Sequence, residues 1–353
     1  MSAQPTTSHP KRILLVRNDR IGDLVLTLPA MEAVRRHWPD AHLTALVSPY
    51  AGPLLLGQDA VDDVMYDEPA LKAGQLARRL RPLQFDAALV FNTNTRNCLA
   101  VWRARIRQRV CWAYKPVGWL TATHRVALRR SHPPVHESDF ALAFVRALGC
   151  PVEPRPALPA FKIDPAARKC ALERITRLLG TGGPLFGVHP GNRNSAYNWP
   201  AERYSALVAQ LSRHGRVLVT GGPGEHALLE TIRRTAATAY PERVAYLCDL
   251  SLLELAATIA AQTVLVVSST GPMHLAGLVG TPTVALFSPH PAHVPAKWAP
   301  LGDNHTILVA PLADGEDPEV PRERGTELMS RIALDEVLHA ALDHWQRSQA
   351  PAA

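Results

Sequence analysis

Short apolar runs alternate with amphipathic stretches along almost the whole chain. In the first half the runs lie near residues 12–17, 42–48, 62–66, 85–91 and 108–113, and helical patterns separate them. Parallel strands need a crossover connection, which is usually a helix, so this alternation predicts βαβ units and a parallel sheet. The first half is therefore expected to form an α/β domain.

A Pro-rich stretch, "CPVEPRPALPAFKIDP", separates this series from a second one and predicts a stiff connector. Beyond it, further apolar runs end in turn or helix signals: "PLFGVHPG", "RVLVTGGPG", "VAYLCDL", "TVLVVSSTG" and "TPTVALFSP". We predict an α/β protein with two Rossmann-like domains whose parallel sheets face a central cleft. The expected divisions are an N-terminal domain (1–150), a linker with a connecting helix (151–183), a C-terminal domain (184–325) and a C-terminal helix and tail (326–353).

One uncharged stretch resembles a membrane span. Residues 255–296 contain no Asp, Glu, Lys or Arg, and a span needs about 20 apolar residues. Gly271-Pro272, Gly280 and Pro282 interrupt the stretch, and its polar side chains would lack partners in lipid. We therefore predict two buried parallel strands that flank a buried helix. The N-terminal residues show no apolar signal core, so a cytoplasmic protein is expected.

Charge is distributed unevenly between the two halves. Residues 1–150 carry 20 Lys and Arg against 12 Asp and Glu, a net charge of +8, whereas residues 151–353 carry 18 against 19, a net charge of −1. An acidic partner that docks on the first half would explain this distribution, and so would a solvated basic surface. Charge alone leaves both interpretations open.

The first candidate for chemistry is "RNDRIGDLVLTLPA", residues 17–30, directly behind the first apolar run. Ligands of open parallel sheets bind beyond the carboxyl ends of the strands. Gly22 permits a close approach of the backbone, and Asp23 stands where a helix should begin. The carboxylate is therefore a candidate for catalysis, with helix capping as the alternative, because Asp is a preferred cap.

A second candidate is "GVHPGNRNSAYNWP", residues 187–200. A strand is expected to end at His189, and Trp199-Pro200 should open a helix, since Pro favours the first helical position. The loop between them offers donors and a charge that suit phosphate oxygens: Gly191, Asn192, Arg193 and Ser195.

Two further turns follow strands of the second half. In "TGGPGEH", Glu225 could accept ribose hydroxyls, although the pattern is not GxGxxG and NAD is poorly supported. In "SSTGPMHLAG", Thr270 and Gly271 precede a helix whose first N–H groups suit a diphosphate. His274, one turn later, is either a packed residue or a catalyst.

No metal or cofactor is expected. His290 and His293 resemble a metal-binding pair, but the sequence places no carboxylate or Cys near them.

Taken together, "RNDRIGDLVLTLPA", "HPGNRNSAYNWP" and "SSTGPMHLAGLVGTPTVALFSP" resemble glycosyltransferase family 9, the ADP-heptose:lipopolysaccharide heptosyltransferases. The resemblance extends from Lys11 to about Gly302. It implies a GT-B fold, with an acceptor-binding domain first and a nucleotide-sugar-binding domain second. It also implies inverting, metal-independent transfer of heptose from ADP-heptose to the lipopolysaccharide inner core. The expected place is the cytoplasmic face of the inner membrane, with peripheral membrane contact and no nucleic acid.

The resemblance also implies roles for single residues. Asp23 corresponds to the general base, and the basic residues Arg17, Arg20, Arg129 and Arg130 would hold anionic groups of the acceptor. The residues expected on the donor side are Gly22, His189, Gly191, Asn192, Arg193, Tyr197, Glu225, Ser269, Thr270, Gly271 and His274.

Two positions depart from the family pattern. Many members carry Lys two residues before the Trp, where this chain has Tyr197, and an acidic residue before Thr-Gly, where it has Ser269. Another nucleotide sugar is therefore an alternative donor. A non-catalytic nucleotide or nucleic-acid binding protein is a further alternative, although Asp23 favours an enzyme and no aromatic-rich nucleic-acid module is visible. The sequence does not identify the acceptor position, the linkage or the oligomeric state.

Overall fold

The computed structural model describes residues 9–130, 133–152, 160–193, 195–321 and 324–349. The chain divides into two compact units, Met1–Pro159 and Ala160–Ala353. Residues 153–159 of the Pro-rich connector lie outside the described ranges. Among the described residues, each unit forms a six-stranded parallel sheet with helices between the strands, which confirms the predicted α/β class.

The first unit contains every strand predicted in the first half, and one more. The added strand is short and lies at the edge of the sheet, so it offers too few residues for a visible alternation. The strands are β1 (Arg12–Arg17), β2 (His42–Val47), β3 (Asp63–Tyr66), β4 (Ala87–Val90), β5 (Gln108–Trp112) and β6 (His124–Val126). The helices are α1 (Ile21–His37), α2 (Ala73–Leu80), α3 (Thr95–Arg103), α4 (Pro116–Thr121) and α5 (Glu137–Ala147).

The second unit likewise contains the predicted strands and an additional edge strand, β12. Its strands are β7 (Leu185–His189), β8 (Arg216–Gly221), β9 (Val244–Cys248), β10 (Val264–Ser268), β11 (Thr283–Phe287) and β12 (His305–Val309). Its helices are α6 (Pro165–Leu179), α7 (Ala201–Leu211), α8 (His226–Thr235), α9 (Leu252–Ala260), α10 (Gly271–Val279), α11 (Pro295–Trp298), α12 (Gly325–Met329) and α13 (Leu334–Gln349).

Both sheets have the same strand order. The first is β3-β2-β1-β4-β5-β6, and the second is β12-β11-β10-β7-β8-β9, which is the same arrangement written from the other edge. In each sheet the order reverses once, between β1 and β4 and between β7 and β10. Successive connections leave such a point in opposite directions, so a crevice opens beyond the carboxyl ends of the two strands. Residues that follow these four strands are therefore the first candidates for binding and chemistry.

The uncharged stretch forms β10, α10 and β11, as predicted. All five residues of β10 and of β11 are buried, because helices cover both faces of a parallel sheet. Of the helices in the described ranges, none has the length and the apolar character needed to cross a bilayer.

The chain ends in two helices, α12 and α13, rather than in one. The backbone between them is used by the core: the indole Nε1 of Trp199 donates to the carbonyl of Ile332 at 3.2 Å. Trp199 is fully buried and packs edge-on against Tyr204, with ring centroids 5.1 Å apart. A continuous helix would occupy that carbonyl with a backbone N–H, so the break satisfies the buried indole.

Candidate active site

Asp23 lies in the first turn of α1, just beyond the carboxyl end of β1. The N-cap residue is Arg20, and no described side chain caps the helix, so Asp23 does not cap α1. Its carboxylate instead accepts a hydrogen bond at Oδ1 from Arg17 Nη2 at 2.8 Å. Arg17 Nε also donates to the Asp23 carbonyl at 3.1 Å. Arg17, the last residue of β1, thus fixes both the backbone and the side chain of Asp23.

Arg17 joins a larger charge cluster, which we call the Arg17 cluster: Arg17, Asp19, Asp23, Arg130 and Glu137. Arg17 Nε is 3.3 Å from Asp19 Oδ1, and Nη2 is 3.7 Å from Glu137 Oε2. Glu137 also pairs with Arg130, whose guanidinium lies 4.7 Å from the Phe140 ring centroid. The Arg17 side chain is 6% exposed and that of Asp23 18%. The protein's own carboxylates therefore hold both arginines.

Acidic groups outnumber basic groups in this cluster by three to two. Burial raises the pKa of Asp19 to about 6; the Arg17 charge opposes that shift and the Asp23 charge adds to it. Protonation of Asp19 would balance the charges, because two carboxylates would then face two guanidinium groups. A proton can therefore reside in this cluster at a pH where exposed carboxyls are ionised.

A neighbouring hydrogen-bond network joins the loops after β1, β3 and β4. Asn18 Nδ2 donates to Asp67 Oδ2 at 2.7 Å, and Arg96 donates to both Asp67 oxygens at 2.8 and 2.9 Å. The amides of Asn92 and Asn97 donate to Asn18 Oδ1 at 3.1 and 2.9 Å. The network fixes the residue between Arg17 and Asp19. Sequence analysis missed it, although Asn18 and Asp67 each directly follow a strand, which is a usable signal.

The two remaining predicted acceptor residues are exposed. Arg20 precedes α1 at the surface. Arg129 lies over the Tyr114 ring at 5.7 Å and its Nε donates to the Tyr114 hydroxyl at 3.3 Å. Both guanidinium groups are accessible to an anionic ligand of the first unit.

In the second unit, β7 ends at His189, as predicted, and this side chain is buried. Its Nδ1 is 2.9 Å from Thr220 Oγ1 on β8, and its Nε2 is 3.9 Å from Glu225 Oε2. Burial lowers the pKa of His189 to about 4, against a smaller opposing effect of Glu225. The imidazole is therefore neutral at pH 7, and it connects the ends of β7 and β8 as an uncharged hydrogen-bonding group.

Glu225 is held by backbone donors. The N–H of Gly222 donates to Oε2 at 2.7 Å, and that of Arg193 donates to Oε1 at 3.2 Å. The carboxylate lies directly against Gly191, where an added Cβ would be 1.9 Å from Oε2. Position 191 therefore has to be glycine for Glu225 to keep this place. Arg193 has φ of 45°, in the left-handed region, and its Nη2 is 3.5 Å from the Pro223 carbonyl.

The loop after β7 is tied to the end of β10. Ser195 Oγ donates to the Ser269 carbonyl at 3.4 Å, and Ser268 Oγ donates to Asn198 Oδ1 at 2.8 Å. Asn192 Nδ2 closes the loop on the Ala196 carbonyl at 2.9 Å. Asn194 lies outside the described residues. The two loops that flank the reversal of strand order in this sheet are thus connected.

Tyr197, at the place where many family members carry Lys, packs inside the second unit. Its hydroxyl donates to the Val320 carbonyl. Its ring lies so close to Gly325 that an added Cβ there would be 2.4 Å from Cδ1. The His290 and His293 rings lie edge-on to it, with centroids at 5.5 and 6.0 Å. The contacts of Tyr197 are those of a packing residue.

Helix α10 begins at Gly271 with Thr270 as N-cap, and no described side chain caps it. Its first-turn N–H groups are therefore free of a side-chain cap at the carboxyl end of β10, where the helix dipole favours an anion. His274 is buried in the same helix, with its ring 6.5 Å from that of Trp298.

One group in the described ranges has the composition of a metal site: His226, Cys248 and Asp249, whose potential ligand atoms lie within 4.8 Å of one another. His226 Nε2 and Asp249 Oδ2 are 2.6 Å apart and form a hydrogen-bonded pair.

Comparison with known proteins identifies the family and the fold of this chain. The sequence profile of glycosyltransferase family 9 (heptosyltransferase) matches residues 73–326. A Haemophilus influenzae protein named provisionally as a glycosyltransferase is 28% identical, over 96% of this chain and 99% of its own. The lipooligosaccharide heptosyltransferase 2 of the same organism is 26% identical over 84% and 88%. The solved structure of Escherichia coli ADP-heptose lps heptosyltransferase II superposes with a TM-score of 0.81 at 20% identity, over 96% of this chain and all of that one. The GT-B fold is thereby confirmed.

We predict that Asp19→Asn changes the pH dependence of stability. A carboxyl whose pKa is raised in the folded state stabilises the fold when protonated, and this contribution is lost as pH rises through about 6. Relative to the wild type, the variant should therefore gain roughly 2 kcal/mol between pH 4 and 7.5, at about 1.4 kcal/mol per pKa unit. Calorimetric unfolding of both proteins at the two pH values measures this gain. The exposed Asp40→Asn serves as control, and a difference independent of pH would contradict the prediction.

Proposed function

This chain belongs to glycosyltransferase family 9, and we propose that it transfers heptose from ADP-heptose to a lipopolysaccharide inner-core acceptor, with inversion and without a metal ion. The observation that carries this proposal is the position of Asp23. It stands at the carboxyl end of β1, where the strand order of the sheet reverses, and Arg17 fixes its side chain. A carboxylate so placed suits a general base.

The proposed step is a direct displacement at the anomeric carbon. Asp23 takes the proton of the acceptor hydroxyl while the hydroxyl oxygen forms a bond to that carbon. The bond from the carbon to the diphosphate oxygen breaks, and ADP leaves with the electron pair. Arg17 Nη2 bonds Asp23 Oδ1 at 2.8 Å, and we assign Oδ2 to the acceptor hydroxyl. Orientation by Arg17 lowers the entropy cost of the proton transfer.

We assign donor binding to the loops that flank the reversal of strand order in the second sheet. The N-terminus of α10 and the Arg193 guanidinium supply positive charge for the diphosphate. Glu225 already accepts two backbone N–H groups, and its remaining lone pairs suit ribose hydroxyls. His189 and Gly191 then act indirectly, since one faces Glu225 and the other makes room for it.

Anionic groups of the acceptor are assigned to Arg20 and Arg129. Arg17 and Arg130 are engaged by Asp23 and Glu137, so they act inside the cluster rather than on the acceptor. The lipopolysaccharide core carries carboxylates and phosphates and is anchored in a membrane. We therefore propose a cytoplasmic protein with peripheral contact to the inner membrane.

Another nucleotide sugar is the second candidate donor, because of Tyr197. Its hydroxyl is bonded to the Val320 carbonyl, so this position offers the diphosphate no cation. The donor site thus has one positive charge fewer than members with Lys at this place, which weakens the assignment to ADP-heptose.

A turnover assay with a panel of nucleotide sugars and truncated core acceptors tests the proposed reaction. We expect nucleotide release that depends on acceptor, with ADP-heptose as the best donor. EDTA should leave the rate unchanged, because helix N–H groups and Arg193 are assigned to the phosphates. A different best donor would favour the second candidate, and loss of activity in EDTA that Mg²⁺ restores would exclude the metal-independent mechanism.

Asp23→Asn should lower kcat by roughly 10²- to 10⁴-fold, the usual contribution of a general base. The amide oxygen of Asn can still accept from Arg17, so the fold and the donor affinity should persist. Steady-state kinetics, calorimetric unfolding and nucleotide titration measure the three quantities, with Asp40→Asn as the exposed control. Turnover close to that of the wild type would remove Asp23 from the mechanism.

Arg193→Ala should lower the affinity for ADP, whereas Tyr197→Phe should lower the stability of the fold. Arg193→Ala removes the charge assigned to the diphosphate, so it should weaken ADP binding by roughly tenfold or more, with little loss of stability. Tyr197→Phe leaves the buried Val320 carbonyl without its donor, so it should lower the free energy of unfolding by about 1–3 kcal/mol and leave ADP binding unchanged. Calorimetric titration and thermal unfolding of both variants test this. Equal losses of affinity would show that the phosphate position is wrong.

A further inference from the structure

Large apolar side chains are exposed together around α4 in the first unit. Tyr114 is 49% exposed, Trp119 52% and Leu120 72%. Trp119 and Leu120 are neighbours on the helix, and Tyr114 lies just before its N-cap, Lys115. A contiguous exposed apolar patch on a globular protein usually marks an interaction site. We call the set Tyr114, Lys115, Trp119, Leu120 and Arg125 the α4 surface.

The surroundings of this surface are basic. Residues 87–136 contain nine Lys and Arg and no Asp or Glu. Helix α3 packs beside α4 and adds a further half-exposed indole, Trp102. Arg96 and Arg130 pair with Asp67 and Glu137 from outside this stretch. The exposed basic groups that remain, Lys115 and Arg125 among them, produce a positive potential that attracts an anionic partner.

Aromatic and cationic groups of the surface are already assembled. The Arg125 guanidinium lies 4.6 Å from the Trp119 ring centroid, and its Nε donates to the Trp119 carbonyl at 3.0 Å. The contact thereby links α4 to the edge strand β6. A partner that needs an apolar group beside a cation therefore finds both in place, which reduces the ordering cost of binding.

We propose that the α4 surface docks the protein on an anionic phospholipid bilayer. Trp119 and Leu120 enter the interfacial layer, where indole and aliphatic groups partition favourably. Lys115 and Arg125 bind lipid phosphates, at an electrostatic gain for each basic group near an anionic surface. This inference deepens the peripheral membrane contact of the proposed function by naming the surface responsible for it.

The contacts favour a bilayer over a nucleic acid. Stacking of a base needs an open aromatic face, and Arg125 covers one face of Trp119. Leu120, the most exposed of the three apolar side chains, offers apolar area without a hydrogen bond. Two copies of this chain would bring two basic surfaces together, which disfavours self-association.

Vesicle co-sedimentation of the full chain tests the proposal. The wild type should bind vesicles of phosphatidylglycerol and phosphatidylethanolamine, bind phosphatidylcholine vesicles weakly, and be released by high salt. Trp119→Ala with Leu120→Ala should lower partitioning by about tenfold, because apolar burial is lost. Lys115→Gln with Arg125→Gln should lower it by about thirtyfold, at the gain expected for two basic groups.

A matched control is available on α6 in the second unit. Leu172 and Leu178 are 47% and 45% exposed, and their replacement by Ala should leave vesicle binding unchanged. Brominated lipid should quench tryptophan emission of the wild type, and Trp119→Leu should remove most of the quenching while it keeps the binding.

The docking can fail while the proposed reaction stands, because it is measured as binding. The Trp119→Ala, Leu120→Ala variant should turn over a soluble truncated acceptor at the rate of the wild type. The proposal is overturned if the wild type binds anionic and neutral vesicles equally well. It is also overturned if the wild type binds vesicles no better than the Trp119→Ala, Leu120→Ala variant does. Nucleic-acid binding or dimer formation that depends on Trp119, without vesicle binding, would assign the surface to that partner instead.

Discussion

The reversal of strand order in each sheet is the constraint on which the candidate site depends. Where β1 meets β4, and where β7 meets β10, successive connections leave in opposite directions, so no crossover covers the strand ends. Backbone groups and polar side chains can meet a ligand there without unfolding any element. The Arg17 cluster occupies this position in the first unit. Glu225 and the Ser195–Ser269 contact occupy it in the second.

In the first unit, a buried guanidinium organises the candidate site. A charge of this kind is tolerated only when carboxylates and carbonyls compensate it, and Arg17 is compensated by Asp23, Asp19 and Glu137. The same contacts orient Asp23 and oppose the rise that burial causes in the pKa of Asp19. Stability and the orientation of the proposed base are therefore coupled, because one side chain contributes to both.

The sequence was sufficient to predict the fold and the place of Asp23, because both follow from periodicity and from the rule that ligands meet strand ends. The distant partner of Arg17 was not predictable. Glu137 opens α5, far along the chain from Arg17, and no local pattern links the two. Tyr197 illustrates the same limit: the motif suggested a substitute for a phosphate-binding Lys, whereas its hydroxyl bonds the distant Val320 carbonyl. The edge strands β6 and β12 were not predicted, because partly buried strands show little alternation of apolar and polar residues in the sequence.

The positive excess of the first half has two different uses, which composition cannot separate. Arg17 neutralises the partly buried carboxylate of Asp23, and Arg96 and Arg130 neutralise the buried carboxylates of Asp67 and Glu137. Arg109 donates to the backbone carbonyls of Thr121 and Ile106, and burial lowers its pKa. These charges act within the fold and contribute little to the field in solvent.

The cations that a membrane or an anionic acceptor can meet are those left outside, such as Lys115 and Arg125. Because these lie beside exposed Trp119 and Leu120, the accessible charge coincides with the accessible apolar surface, and a solvated basic face would not require that coincidence.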